Sequence, residues 1–378
     1  MWQYLNPVQV QFGTGIFQNV SDLIAGRRYG LVTYDEPYFD ELIRTLEQKA
    51  GSPAITINDV QPNPDYVLLD DQVARIAAAG TPDVWVALGG GSVIDSAKVF
   101  AAANGAFSNV ANYLESGSGA ENLSAAPIIA VPTTAGTGSE VTCWATVWKE
   151  ETGQKFSLAR ANLYPEVAMV DPALMVGKPL GLTMSTGLDA LSHALESLWN
   201  VNANPVSANY AVMAAREVID VLPRLADDLT SVELRSRMAQ ASLFAGLAVS
   251  NTKTAISHSL SYPITLKHNV PHGIACSFSL PIVIESVKDV GGLCEASLRR
   301  VFDNDLEHAS RKVAEVLERC GVSVRPADHG VTDQEWESLV DNAFEGERGQ
   351  NFIGEKVQFL RAAETFGAAA PHQSKVDQ

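Results

Sequence analysis

Asp189 and His193 stand four residues apart in the stretch "STGLDALSHALES", residues 185–197. On a helix that spacing puts both side chains on one face, where a carboxylate oxygen and an imidazole nitrogen could meet a single ion. Two further histidines sit in settings that suit ligands. His258, in "TAISHSLSYP", falls near the end of a long apolar stretch and shortly before Pro263. His272, in "NVPHGIACSFSLP", lies between Pro271 and Gly273 where the next helical stretch begins. One oxygen and three imidazoles fit a borderline divalent ion such as Fe(II) or Zn(II) better than Ca(II) or Mg(II), and would leave a position open for substrate. A D-x-x-x-H pair alone is more often polar surface; the two distant histidines turn it into a candidate centre.

A second kind of chemistry is written in two glycine turns. "DVWVALGGGSVIDSAKVFAAA" reads as a strand, a turn and a helix, with Gly89, Gly90 and Gly91 in the turn and Ser92 at the helix start. Glycines let the backbone approach a ligand closely, and helix N-terminal N–H groups attract phosphate. The pattern is not G-x-G-x-x-G, so the ordinary Rossmann fingerprint is absent, and a tight turn without a ligand is the plainer reading of this turn taken alone. "IIAVPTTAGTGSEVT" follows another apolar strand and adds Thr133, Thr134, Thr137 and Ser139 as hydroxyl donors. Two such loops at the ends of parallel strands would face one crevice, which fits a nucleotide. Neither loop holds the lysine of a P-loop.

The elements that must position these residues change character along the chain. Up to about residue 180, apolar runs such as "YGLVTYD" (29–35), "SPAITIND" (52–59), "DVWVALGGG" (83–91), "APIIAVPTT" (126–134) and "EVAMVDP" (166–172) alternate with helical stretches. That alternation predicts an α/β domain at 1–180 with a mostly parallel sheet. Beyond it the chain is alanine-rich and helically periodic, which predicts an all-α domain at 181–378, ending in the tail "AAAPHQSKVDQ", expected to be poorly ordered. Composition sets limits on partners. Hydrophobic residues make up 46% and charged residues 19%, which suits a globular core. The net charge of −17 argues against a nucleic-acid binder. The four cysteines form no C-x-x-C pair, so neither a disulfide framework nor a thiolate zinc site is expected. The N-terminus carries no signal-peptide pattern, and no apolar run reaches the roughly 20 residues of a membrane span. A cytoplasmic protein without membrane association is the expectation.

"GGGSVIDSAK", "PTTAGTGSE", "STGLDALSHALES" and "PHG" together resemble the iron-containing (group III) alcohol dehydrogenases, in the same order and at similar spacing. The resemblance is tight over about residues 83–281, with "FGTG" (12–15) and "QPNP" (61–64) as further echoes. It implies a dinucleotide-binding α/β domain, a helical metal-binding domain, and an active site between them. It also implies that Gly89, Gly90, Gly91 and Ser92 meet the pyrophosphate of NAD(H) or NADP(H), that Thr133 and Thr134 line the cofactor with Asn63 nearby, and that Asp189, His193, His258 and His272 hold the metal. Hydride transfer between the nicotinamide and a small alcohol or aldehyde follows, as does a homodimer.

Three departures from the family pattern concern specificity. Many members carry a second histidine four residues after the one matching His258; here Tyr262 stands there, either a proton donor or packing. His268, four residues before His272, is a further relay candidate. The strand ending "LVTYDEP" places Asp35 one residue later than the family's cofactor-discriminating acid, so NAD against NADP stays open with a lean to NAD(H). Lys253 precedes His258 by five residues, where relatives usually carry small or neutral residues. A cation there could pair with an anionic substrate tail, as in the phosphonoacetaldehyde reductase branch, or lie on the surface. Two other readings compete: a metal- and NAD-dependent lyase of dehydroquinate synthase type, and a non-catalytic binding protein that keeps the fold.

Overall fold

The structure, a computed structural model, describes residues 1–367; the expected disordered tail, 368–378, lies outside the described residues. Among the described residues there are eight strands: β1 (Gln9–Phe12), β2 (Tyr29–Val32), β3 (Ile55–Ile57), β4 (Val84–Gly89), β5 (Ile128–Pro132), β6 (Trp144–Lys149), β7 (Gln154–Ala159) and β8 (Val167–Val170). The first five helices are α1 (Val20–Ile24), α2 (Pro37–Ala50), α3 (Tyr66–Ala79), α4 (Gly91–Ala103) and α5 (Phe107–Ser116). Ten more follow: α6 (Leu180–Glu196), α7 (Pro205–Asp227), α8 (Val232–Thr252), α9 (Ile256–His268), α10 (His272–Ser277), α11 (Leu280–Val287), α12 (Gly292–Val301), α13 (Ala309–Arg319), α14 (Asp333–Glu345) and α15 (Lys356–Thr365).

By packing, the chain divides into an α/β unit of residues 6–178 with 230–239, and a helical unit of residues 1–5, 179–229 and 240 onward. A single boundary near residue 180 therefore describes the middle of the chain only; the N-terminal five residues group with the helices, and the start of α8 with the sheet unit.

The α/β unit is a parallel six-stranded sheet in the order β1-β8-β5-β4-β2-β3. β4 and β5 are apolar and buried at every residue, as a sheet covered on both faces requires. The strand period divides β4 between two cores. Val84, Val86 and Leu88 join α1 and α2; Trp85 and Ala87 join α3, α4 and α5. The chain runs from β2 outward to β3, then returns on the other side through β4 and β5, so the order reverses between β2 and β4, where open α/β sheets form their ligand crevice. β6 and β7, missed from the sequence, form a separate antiparallel hairpin.

In the helical unit, α6 packs against α7, α9 and α10. Glycines set two of these contacts. A Cβ on Gly187 would lie 2.4 Å from Leu222 Cδ1 of α7, and one on Gly273 would lie 1.8 Å from the Ser185 carbonyl oxygen of α6. No strand lies beyond Val170 among the described residues. No helix among them is long and apolar enough to cross a membrane.

Candidate metal centre and dinucleotide cradle

α6 carries Asp189 and His193, α9 carries His258, and His272 is the first residue of α10. Their ligating atoms converge. Asp189 Oδ1 lies 3.7 Å from His193 Nε2, 3.4 Å from His258 Nε2 and 3.9 Å from His272 Nε2. The His193 and His258 rings stack at 4.7 Å, and His272 meets His258 edge-on at 5.4 Å. Asp189, His193 and His258 are buried, while the His272 side chain keeps 35% of its surface exposed, so the group opens on that side. Asp189 Oδ1 and His258 Nε2 are buried without a hydrogen-bond partner. Leaving such atoms unsatisfied costs about 1–3 kcal/mol each, and a cation between them would satisfy both. The donor set and these two atoms fit a divalent ion.

Cys276 also belongs to the cluster. Its Sγ lies 3.5 Å from His272 Nε2, and single ligand atoms of Asp189, His258, His272 and Cys276 all lie within 4.8 Å of one another. This tight foursome contains the sulfur where the sequence points to His193, which approaches the group at Asp189 Oδ1. Burial pushes the Cys276 thiol up, against the opposing effect of His258. The oxygen-and-imidazole set is the better match to a hard-to-borderline ion.

Glu196, not nominated from the sequence, organises the group. It lies one further turn along α6 from His193 and is fully buried. One carboxylate oxygen accepts from the Ser257 and His258 N–H groups at 2.6 and 3.1 Å; the other accepts from the Ala255 N–H at 3.0 Å and faces His258 Nδ1 at 2.6 Å. Burial works against its ionisation, but His258 and the backbone donors outweigh it and hold its pKa below the usual carboxylate range. The same balance, with His193 the leading stabiliser, holds Asp189 low. A carboxylate at Nδ1 keeps the proton there and leaves the Nε2 lone pair facing Asp189.

The other expected residues of this unit divide. Tyr262 stacks on His272 with centroids 5.6 Å apart and planes 7° from parallel; it supports the imidazole through its ring face. Lys253 follows α8 in the left-handed region, φ 65°, a conformation non-glycine residues seldom adopt. Its ammonium is exposed and makes no hydrogen bond or ion pair among the described residues, while its carbonyl accepts from Asn200 Nδ2 at 3.1 Å. His268 is engaged by a carboxylate. Its Nε2 lies 2.9 Å from Glu335 Oε1, a carboxylate shared with Lys267. Ten residues of α9 separate it from His258, about 15 Å along the axis.

The glycine turns meet in the α/β unit. β4 pairs with β5 so that Gly89 lies beside Pro132, and the Thr133 N–H donates to the Gly89 carbonyl at 2.9 Å. A Cβ on Gly91 would lie 2.6 Å from Thr137 Cγ2, and one on Gly90 would lie 3.3 Å from Thr134 Oγ1. Gly90 begins α4 without a side-chain cap, which leaves the first helical N–H groups to a ligand. Thr133 is buried and Thr134 half-buried. The second loop is held from below. Lys98, fully buried, donates to Ser139 O at 2.7 Å, Ser139 Oγ at 2.8 Å and Trp144 O at 2.8 Å, and Asp95 accepts from Ser139 Oγ at 2.6 Å. Burial lowers the Lys98 ammonium to about 8.

Two further cofactor candidates are exposed. Asp35 is exposed and makes no hydrogen bond or ion pair among the described residues. Tyr34 is the side chain that turns from this strand end toward the glycine turn: its hydroxyl faces Ser92 and lies 3.9 Å from where a Gly90 Cβ would be. Burial raises its pKa, partly offset by Ser92. Asn63 is exposed in a loop at φ 60°, without a side-chain hydrogen bond among the described residues.

A parallel sheet with open glycine turns at its switch point and a helical unit with a carboxylate–imidazole cluster define a class, the dinucleotide-using oxidoreductases with a divalent-metal type of donor set. Comparison with known proteins gives the same class. Residues 7–172 match the family "Iron-containing alcohol dehydrogenase", and residues 183–357 match "Fe-containing alcohol dehydrogenase family, C-terminal". The NAD-dependent methanol dehydrogenase of Bacillus methanolicus is 32% identical over 81% of this chain and 82% of its own. The phosphonoacetaldehyde reductase of Streptomyces viridochromogenes is 34% identical over 65% of this chain and 61% of its own. The crystal structure of sulfoacetaldehyde reductase from Bifidobacterium kashiwanohense in complex with NAD+ is 30% identical, with a TM-score of 0.88 over 98% of this chain and 99% of that one. The chain belongs to the iron-containing alcohol dehydrogenase family. Membership sets aside the lyase and the non-catalytic readings.

Proposed function

We propose that this enzyme is an Fe(II)-dependent, NAD(H)-linked reductase of small aldehydes, with short anionic aldehydes such as phosphonoacetaldehyde or sulfoacetaldehyde as its preferred substrates. The observation that carries the metal assignment is the pair of buried, partnerless atoms, Asp189 Oδ1 and His258 Nε2. Asp189, His193, His258 and His272 would hold the ion. When bound, the ion supplies Lewis acidity toward a carbonyl oxygen and the dinucleotide supplies the hydride. Everything else is positioning by the chain. Glu196 fixes the His258 tautomer, Tyr262 packs the half-exposed His272 ring, and the Gly89–Gly91 turn, Ser92, Thr133 and Thr134 would cradle the pyrophosphate. Support for an anionic substrate comes from the uncommitted Lys253 ammonium in an acidic chain, and from two relatives named for anionic aldehydes. Support for NAD(H) comes from the methanol dehydrogenase and from the NAD+ complex.

The test is turnover by protein loaded with Fe(II) in the absence of oxygen. NADH and NADPH are compared with phosphonoacetaldehyde, sulfoacetaldehyde and propanal. Oxidation of NADH with the anionic aldehydes is expected; no turnover of any aldehyde with either cofactor refutes the reading. Lys253→Ala is expected to raise KM for the anionic aldehydes about tenfold more than for propanal, the scale of one lost partner to a charge. An equal change on both would remove Lys253 from substrate recognition.

A further inference from the structure

We propose that Arg348 reads the anionic tail of the substrate, an assignment that rests on the aldehyde-reductase reading above. Arg348 lies in the turn after α14 and is half-buried. Its guanidinium carbon sits 4.7 Å from the centroid of the Tyr262 ring, the ring that stacks on His272. Guanidinium, phenol and imidazole therefore share one contact set, which places a permanent cation one aromatic ring away from the exposed side of the metal cluster.

The guanidinium makes no hydrogen bond or ion pair among the described residues. Other arginines are committed: Arg27 to Glu166, Arg75 to Asp59, Arg216 to Asp303 and Arg299 to Glu295. Glu345 and Glu347 closely precede Arg348 in sequence, yet neither pairs with it. Stacking on an aromatic face orients the guanidinium plane without using its N–H donors. The fork stays available for a tetrahedral oxyanion, to which it can donate two parallel hydrogen bonds.

The turn that carries Arg348 is held firmly. A Cβ on Gly349 would lie 1.9 Å from the Ala343 carbonyl oxygen, so the chain presses directly on the last turn of α14. Gln350 Nε2 donates to Phe344 O at 3.0 Å, and the Val201 N–H donates to Asn351 O at 2.8 Å. Asn351 Nδ2 donates to the Thr254 carbonyl at 2.9 Å, which ties this turn to the loop bearing Lys253. Two uncommitted cations thus sit on two loops joined by a hydrogen bond.

The test uses Fe(II)-loaded enzyme with NADH. Wild type, Arg348→Ala and Arg348→Lys are compared on sulfoacetaldehyde, phosphonoacetaldehyde and propanal. Arg348→Ala is expected to lower the anionic-to-neutral ratio of kcat/KM about 30-fold or more, mainly through KM, with Arg348→Lys intermediate because it keeps the charge and loses the fork. The doubly charged phosphonate should lose more than the sulfonate. Calorimetric titration of the enzyme–NADH complex with 2-hydroxyethanesulfonate should show weakening by a similar factor. A ratio that moves less than about threefold, or a fall in kcat shared by all aldehydes, overturns the assignment. If wild type reduces propanal and neither anionic aldehyde, the assignment falls and the reductase reading stands. If no aldehyde is reduced, the reductase reading falls, and 2-hydroxyethanesulfonate binding equal in wild type and Arg348→Ala overturns the assignment separately.

Discussion

Glu196→Gln is expected to lower the affinity for the divalent ion by about 10–100-fold, although Glu196 supplies none of the proposed ligands. The substitution preserves shape and removes one acceptor. In the native arrangement four donors converge on two carboxylate oxygens: the N–H groups of Ala255, Ser257 and His258, and His258 Nδ1. An amide offers one oxygen and one NH2. Whichever way it turns, the NH2 meets a backbone N–H. With the oxygen toward Ser257 and His258, it also meets Nδ1, and His258 can accept there only by moving its proton to Nε2, the atom that should face the ion. The opposite orientation keeps the tautomer but sets the NH2 against the Ser257 and His258 N–H groups. Both arrangements penalise the centre. Competition titration with a chelator measures the affinity, and a value within about threefold of wild type would show that Glu196 does not control the His258 tautomer.

Gly273→Ala is expected to destabilise the fold by about 3 kcal/mol or more. The added methyl would lie 1.8 Å from the Ser185 carbonyl oxygen and 3.1 Å from Asp189 Cβ. The nearest obstacle is backbone, so no side-chain rotation can relieve it; α10 must move away from α6. Those helices carry His272 on one side and Asp189, His193 and Glu196 on the other, so the same movement separates the proposed ligands. Gly181→Ala is the control. It lies in α6 with nothing within 4 Å of its Cβ, and a helical alanine there should be neutral or stabilising by about 0.5–1 kcal/mol. Denaturant unfolding of both variants decides: equal midpoints would show that the helices yield at Gly273 without cost.

The parts of the molecule that were legible in sequence are those whose residues act through their own local pattern. β4 and β5 announce themselves because burial on both faces demands continuous apolar runs. The β6–β7 hairpin does not: its strands are partly exposed and mixed in composition, and the turn through Glu150–Gly153 resembles loop. Asp189 and His193 are legible because helical spacing alone joins them. Glu196 stands in the same quoted motif, but its partners lie some sixty residues away and are mainly backbone N–H groups, which leave no mark in a sequence. Asp35 was matched by residue type, and the direction of its neighbour Tyr34, which turns toward Ser92, could not be read from the strand pattern. His268 was matched by spacing alone. Its four-residue spacing from His272 means proximity only within one helix, and α9 ends at His268, with Asn269 left-handed before α10 begins.

The carboxylate of Glu196 also caps the start of α9 from a different helix. Ala255, Ser257 and His258 give their amide protons to it, the donors a short helix normally leaves to a local side chain or to water. The opening of this helix is thus tied to the integrity of the proposed ligand set. Amide hydrogen–deuterium exchange at these three positions becomes an internal gauge of the centre: their protection should rise with ion loading while the amides of β4, in the other unit, keep theirs.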